Sequence, residues 1–261
     1  MHQLALLREV SPDMSACELS FVDRTPIDGS RAREQHLAYR RALETLGCRV
    51  LSLPPLPGQP DAVFIEDTAL VLDELAISTR PGALSRRAEL ASVAEVLRAY
   101  RPMAGISSPG TLEGGDILRI GKRIFVGLSA RSNAEGIRQL QALVADFGYQ
   151  VQAVPIHGCL HLKSAVTQVD RDTVLLQPEW IDAATFDDFR IIEIDQREPH
   201  AANALLAGAG VVYPDCFPLT LERLGRISVE VVTVDVSELQ KAEGAVTCCS
   251  LLLADPGQGG S

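Results

Sequence analysis

Residues 113–129 read EGGDILRIGKRIFVGLS. Two runs of β-formers flank Gly121 and Lys122, the pattern of two strands joined by a tight hairpin turn. The same unit, a short polar lead followed by strand, turn and strand, recurs as IEDTALVLDELAIST (65–79), HLKSAVTQVDRDTVLLQP (161–178) and AANALLAGAGVVYPD (201–215). A fifth copy is split between the two ends of the chain, with EGAVTCCSLLLA (243–254) positioned to pair with HQLALLREVS (2–11). The leading residues Glu66, Glu113, His161, Asn203 and Cys248 are separated by 47, 48, 42 and 45 positions. A period of that size marks an array of one supersecondary unit. Five units with a split fifth predict an α/β fold closed into a five-bladed propeller-like ring.

Helical stretches lie between the hairpins. Residues 28–47 and 129–148 carry apolar side chains at helical spacing and end on Gly47 and Gly148, and 85–100 opens on Ser85 as a candidate cap. The stretch 178–189 is shorter and less regular. Short strands are expected after the helices, in RVLSLP, AGISSP, YQVQAVP and SVEVVTVD. Together these give ββαβ-type repeats in one domain over 1–254, with 255–261 as a C-terminal tail.

Composition narrows the function classes. The net charge is −10, and no basic run exceeds two arginines, which argues against a nucleic-acid partner; the acidity fits ordinary solubility first, and an acidic field that gathers a cationic ligand second. No run reaches the ~18 apolar residues of a membrane span, and Arg8, Glu9 and Pro12 interrupt the start, so a cytoplasmic protein is expected. Six cysteines without CxxC spacing read as reduced thiols.

Equivalent positions of a ring face one axis, so Glu66 with Asp67, Glu113 with Asp116, His161, Asn203 and Cys248 are expected to converge on a central mouth. A thiol attacks as the thiolate, and a histidine near neutrality can protonate a leaving group. Carboxylates around the thiol would raise its pKa and suit neither an anionic nor a neutral acyl substrate. They suit a guanidinium, which they orient through bidentate bonds and whose charge favours the thiolate. The reaction class is therefore attack on a guanidinium carbon, loss of an amine and hydrolysis of the S-linked intermediate.

Here the residues also carry a resemblance. PDAVFIEDTALV, AISTRPGALSRR, GTLEGGDIL, VGLSARSNAEG, LHLKS, AANALL and TCCSLLL, in this order from Leu4 to Ala254, resemble the dimethylarginine dimethylaminohydrolases, guanidine-modifying enzymes of the five-bladed pentein fold. The resemblance implies hydrolysis of asymmetric dimethylarginine and monomethylarginine to citrulline and a methylamine, with no cofactor and no essential metal. It implies Cys248, two places before Ser250, as nucleophile, His161 as general acid and base, and Glu113 as the catalytic acidic residue. By the same matching, Asp61, Glu66 and Asp67 hold the substrate's amino and guanidinium groups, and Arg86 and Arg131 pair with its α-carboxylate. Leu19 in a lid and Ala242 before the nucleophile contribute backbone carbonyls. The lid segment SPDMSACELSFVDRTPID matches least. The expected partner is a small guanidino amino acid, with neither nucleic acid nor membrane, and a homodimer is an allowed assembly.

Three other readings accompany this one: a deiminase of arginine or another guanidine, a non-catalytic propeller that binds a partner, and a zinc protein using Cys248 and His161. The cysteine doublet is split by strand alternation, which sends Cys248 and Cys249 to opposite faces. Alternation does not say which of the two faces the histidine, and the choice of Cys248 comes from the resemblance. His36, His157 and His200 have no such company and are expected to be structural or exposed.

Overall fold

The computed structural model describes residues 3–255. Its first strand, β1 (Gln3–Arg8), is followed by α1 (Gly29–Thr45) and β2 (Arg49–Leu53), which pairs with β1 in parallel. The second blade holds β3 (Ala69–Val71), β4 (Ala76–Ser78), α2 (Leu90–Leu97) and β5 (Met103–Gly105). The third holds β6 (Ile117–Ile120), β7 (Arg123–Leu128), α3 (Ala134–Val144) and β8 (Gln150–Pro155). A single turn, α4 (Leu162–Ala165), leads into β9 (Val166–Asp170), β10 (Thr173–Leu176) and β11 (Arg190–Glu193). The fifth blade comprises β12 (Leu205–Ala207), β13 (Gly210–Pro214), α5 (Pro218–Leu224) and β14 (Glu230–Val234), after which α6 (Ser237–Gln240) leads to β15 (Ser250–Ala254).

Every blade is an antiparallel hairpin plus a third strand that returns parallel after the crossover. The split blade closes as expected, because β15 lies antiparallel to β1 from Gln3 opposite Ala254 to Leu7 opposite Ser250. The fold is the five-bladed α/β propeller anticipated from the repeat. Asp28 caps α1 by accepting from the amides of Ser30 and Arg31. Ala32, His36, Tyr39 and Leu43, spaced three or four apart, form the buried face of α1. Gly47 and Gly148 end their helical segments at φ of 85° and 75°.

Tyr39 is fully buried, and its hydroxyl meets Ser250 Oγ at 2.7 Å, tying α1 to the closing strand. Tyr39→Phe leaves that serine without its partner and is expected to cost about 1–3 kcal/mol in urea unfolding, the range for one buried polar group left unpaired. An unchanged midpoint would show that the bond contributes nothing to closure.

The segments that lead into the blades bind one another around the ring. Gly115 N donates to Asp67 Oδ1 at 2.8 Å, Leu162 N to Asp116 Oδ1 at 3.0 Å, and Asn203 Nδ2 to Lys163 O at 3.0 Å. Thr247 N then donates to Asn203 Oδ1 at 3.1 Å, and Glu66 N to Cys248 O at 3.1 Å. These five bonds close a circle from the second blade back to itself. Asp116 and Asn203 hold this circle together. Gly115 shows how tightly the segments approach, since a Cβ there would lie 2.5 Å from His161 Nδ1.

Three local expectations change. Ser85 does not cap a long helix: residues Ser85–Glu89 form a 3-10 turn, and Ser85 Oγ donates to Glu18 Oε1 at 2.7 Å. The strand β11 follows the irregular stretch 178–189, whose only regular helix is the 3-10 turn Ala183–Phe186, too short to give a helical period. Asp255, assigned to the tail, instead accepts from Arg49 at 2.6 and 3.1 Å, while 256–261 lie outside the described residues. No described helix is long and apolar enough to cross a membrane.

Candidate active site

Cys248 lies in the turn that leads into β15 and is half-buried, whereas Cys249 is fully buried in the core beneath α1 with its thiol directed to Ala245 O at 3.6 Å. The two thiols are separated as expected, though by the turn that precedes β15 and not by strand alternation, and Cys248 is the member that lines the site. It shares the wall of a small cavity with His161, Glu113, Asp67 and Asp61. Arg86, Arg131 and Ala242 complete the predicted residues found in that wall.

His161 Nε2 lies 2.8 Å from Glu113 Oε2, and both side chains are buried. Glu113 is oriented from three sides: Gly82 N donates to Oε1 at 3.0 Å, Arg131 Nη1 lies 3.5 Å from the same oxygen, and the backbone amide of Glu113 donates to Ser132 Oγ at 3.0 Å. One ligand atom each from Asp67, Glu113 and His161 fall within 4.8 Å of one another.

Burial by itself would push the His161 pKa down, but Asp67, Asp116 and Glu113 outweigh it and hold the imidazole at about 9. Burial pushes the Cys248 thiol up to about 12, and Glu66 and Asp67 add to the rise. At neutral pH the pair is thus imidazolium and thiol. His161 already carries its proton and cannot take one from Cys248, so its first available role is that of an acid. A cation brought to about 4 Å of the sulfur is worth about 4 kcal/mol at an effective dielectric of 20. That equals about three pKa units, enough to lower the thiol to roughly 9 and raise the thiolate at pH 7 about a thousandfold, to about one per cent.

A neutral haloacetamide is accordingly expected to alkylate Cys248 slowly at pH 7, with the rate rising about tenfold per pH unit toward 10 as thiolate forms. A haloacetamidine of the same shape carries a positive charge and should react far faster at pH 7. Equal rates for the two reagents would mean that the carboxylates do not control the thiol.

Two predicted residues are placed elsewhere. Glu66 faces away from this cavity: its Oε1 accepts from Lys163 Nζ at 2.5 Å, and it lines a separate cavity of about 590 Å³ with Gly114, Lys163 and Thr247. Leu19 packs against the core beneath α1, and its neighbour Glu18 lines the site instead. Arg86 is in the wall but heavily engaged. It donates to Asp67 Oδ2 at 2.5 Å, to both oxygens of Glu89 at 3.1 and 2.8 Å, and to the carbonyls of Asp61 and Phe64. Burial opposes the charge on Arg86, yet Glu89 and Asp67 hold its pKa well above the ordinary value. Its charge is thus committed first to fixing Asp67, which leaves Arg131 as the arginine facing the lid. His157 and His200 are exposed, and His36 is buried in α1.

The lid lies over the cavity as a strap. Glu18 N donates to Asp61 Oδ2 at 3.1 Å, Arg131 Nη2 to Ser20 Oγ at 3.0 Å, and the amides of Ser20 and Val22 each to Glu243 Oε1 at 2.9 Å. Beneath it the cavity encloses about 30 Å³. Pockets that take small molecules run to several hundred Å³, so the strap must move to admit an amino acid. Glu18, Phe64, Leu160 and Glu243 line the site without having been anticipated. Glu18, Leu160 and Glu243 each adjoin a predicted site residue, but nothing in the sequence marked their own side chains.

Residues 97–205 match the arginine deiminase family model. A dimethylarginine dimethylaminohydrolase of Pseudomonas aeruginosa is 40% identical over 226 residues, 86% of this chain and 89% of its own. One of Streptomyces coelicolor is 40% identical over 252 residues, 96% and 97% of the two chains. Among solved structures, the P. aeruginosa enzyme as a cysteine-to-serine mutant complexed with citrulline superposes with a TM-score of 0.93 at 36% identity, covering 97% of this chain and 100% of that one. The N-terminal domain of a cyanobacterial arginine dihydrolase reaches 0.84 at 18% identity, covering 98% of each chain, and shares the fold alone.

Proposed function

This chain belongs to the dimethylarginine dimethylaminohydrolase family, and we propose that it hydrolyses Nω-methylated arginines to citrulline and a methylamine through a covalent intermediate on Cys248. One observation carries the assignment of residues: the thiol and the Glu113-bound imidazolium share one cavity wall with carboxylates that keep the thiol protonated until a cation arrives.

The bound guanidinium offsets the field of Asp67 and Glu66, Cys248 releases its proton to solvent, and the thiolate attacks the guanidinium carbon. A C–S bond forms and the carbon becomes tetrahedral. His161 then gives its proton to the methylated nitrogen, the C–N bond breaks, and dimethylamine leaves with the bonding electron pair. The S-linked amidinium that remains is attacked by water, from which the now neutral His161 takes a proton. Collapse expels the Cys248 thiolate and the remaining hydroxyl proton passes to that sulfur, so the incoming oxygen becomes the ureido carbonyl of citrulline, the thiol is restored and His161 again carries a proton. Glu113 steadies the imidazolium in both halves of the cycle, and Asp67 and Asp61 supply acceptors for the substrate's N–H groups. Arg131 pairs with the α-carboxylate.

The acidic surface and six free cysteines support a reducing, cytoplasmic setting without a nucleic-acid partner. Incubation with asymmetric dimethylarginine should release citrulline and dimethylamine in equal amounts, with turnover undiminished by a chelator. Ammonia and citrulline from unmethylated arginine, with dimethylarginine untouched, would favour the deiminase reading instead.

A further inference from the structure

Glu243 has three features that the mechanism does not use. It is the one non-glycine residue at positive φ, 58°, among the described residues, a conformation that side chains with a Cβ avoid unless something holds them there. Its Oε1 accepts from three consecutive lid amides, those of Ser20, Phe21 and Val22. Its Oε2 is buried with no hydrogen-bond partner among the described residues, and the side chain lines the site. A buried carboxylate oxygen without a donor is costly, and a site that retains one is built to receive a donor.

The chemistry of that donor follows from the neighbours. Arg131 donates to the hydroxyl of Ser20, and Glu243 accepts from the amide of the same residue, so the two charges sit on either side of one lid residue. The α-carboxylate and α-ammonium of an amino acid hang from one carbon and need opposite charges placed side by side.

Resting on the functional reading above, we propose that Glu243 is a specificity residue: its Oε2 accepts from the substrate's α-ammonium while its Oε1 holds the lid shut. Recognition of the amino end and closure are then made by one carboxylate. A guanidine lacking the ammonium leaves Oε2 unpartnered and closes the strap poorly, even though its reacting end is intact.

The test compares kcat/KM for asymmetric dimethylarginine and for its des-amino counterpart, which lacks only the α-ammonium, in the full-length protein, Glu243→Gln and Glu243→Gly. Wild type should prefer the amino acid, and both variants should shrink that preference at least tenfold, mainly through KM for dimethylarginine. Glycine suits the backbone at this position, so Glu243→Gly should melt no lower than wild type, which separates lost recognition from lost folding. Equal loss on both substrates, or no loss on either, overturns the proposal and leaves the functional reading standing. A wild-type protein that releases no citrulline from dimethylarginine removes that reading and this inference with it.

Discussion

Cys248→Ser is expected to lower citrulline production from dimethylarginine by at least ~10⁴-fold, toward the losses seen when a covalent nucleophile is removed. A serine hydroxyl in the same wall must lose a proton against the same carboxylates, starting from a far higher pKa than a thiol. A bound guanidinium is worth about three pKa units, which brings a thiol at about 12 down to roughly 9, where about one per cent is thiolate at pH 7, but leaves a hydroxyl with essentially none. Cys249→Ser should keep wild-type turnover and show only a modest loss of stability, because that thiol packs in the core beneath α1 and reaches no part of the site. Steady-state citrulline release and urea unfolding of the two variants measure both effects. The reverse pattern would transfer the nucleophile to Cys249.

His161→Gly should cost about 10²–10⁴-fold on dimethylarginine, the usual share of a general acid. The position of the loss is more informative than its size. An amine cannot leave without a proton, whereas a thiolate can, so an S-alkylthiocitrulline bypasses the acid in the first half of the cycle. The variant should therefore still form the adduct on Cys248 with that compound and then stall, since the second half needs His161 as base. Intact-mass measurement would see the stalled adduct. If the variant were equally slow to acylate with both leaving groups, His161 would act on the thiol and not on the amine. The pH profile carries the same information with its sign: thiolate accumulates and the acid form of His161 disappears as pH rises through about 9, so kcat for dimethylarginine should peak near that pH and fall above it. With the thiocitrulline the acylation step should not.

Much of this architecture was legible in the chain. Repetition of a hairpin at a near-constant interval exposes a ring because each copy buries its face only against the next, and the split copy closes the circle through β15 and β1. The same repeat marked Glu66, Glu113, His161, Asn203 and Cys248 as corresponding leads, of which Glu113, His161 and Cys248 line the site, while the choice of Cys248 over Cys249 came from the resemblance. What alternation could not say is how the side chains share partners across blades. Glu66 and Asp67 are neighbours in sequence, yet one turns to Lys163 and the other to Arg86. Arg86, matched to a carboxylate-binding arginine, spends most of its donors on Asp67, Glu89 and two carbonyls. Glu243 was invisible because its role depends on a left-handed backbone and a strap that arrives from more than two hundred residues away. The strand β11 was missed because the crossover before it has no helical period to announce it.

The covalent intermediate is the centre of this account, and quenching the enzyme in acid during steady turnover of dimethylarginine tests it most directly. Mass analysis of the quenched protein should find a single amidine adduct, with the dimethylamine already gone, on the peptide that contains the cysteine doublet. Fragmentation should place it on Cys248. Citrulline formed steadily with no adduct on any cysteine, or an adduct placed on Cys249, would contradict the mechanism.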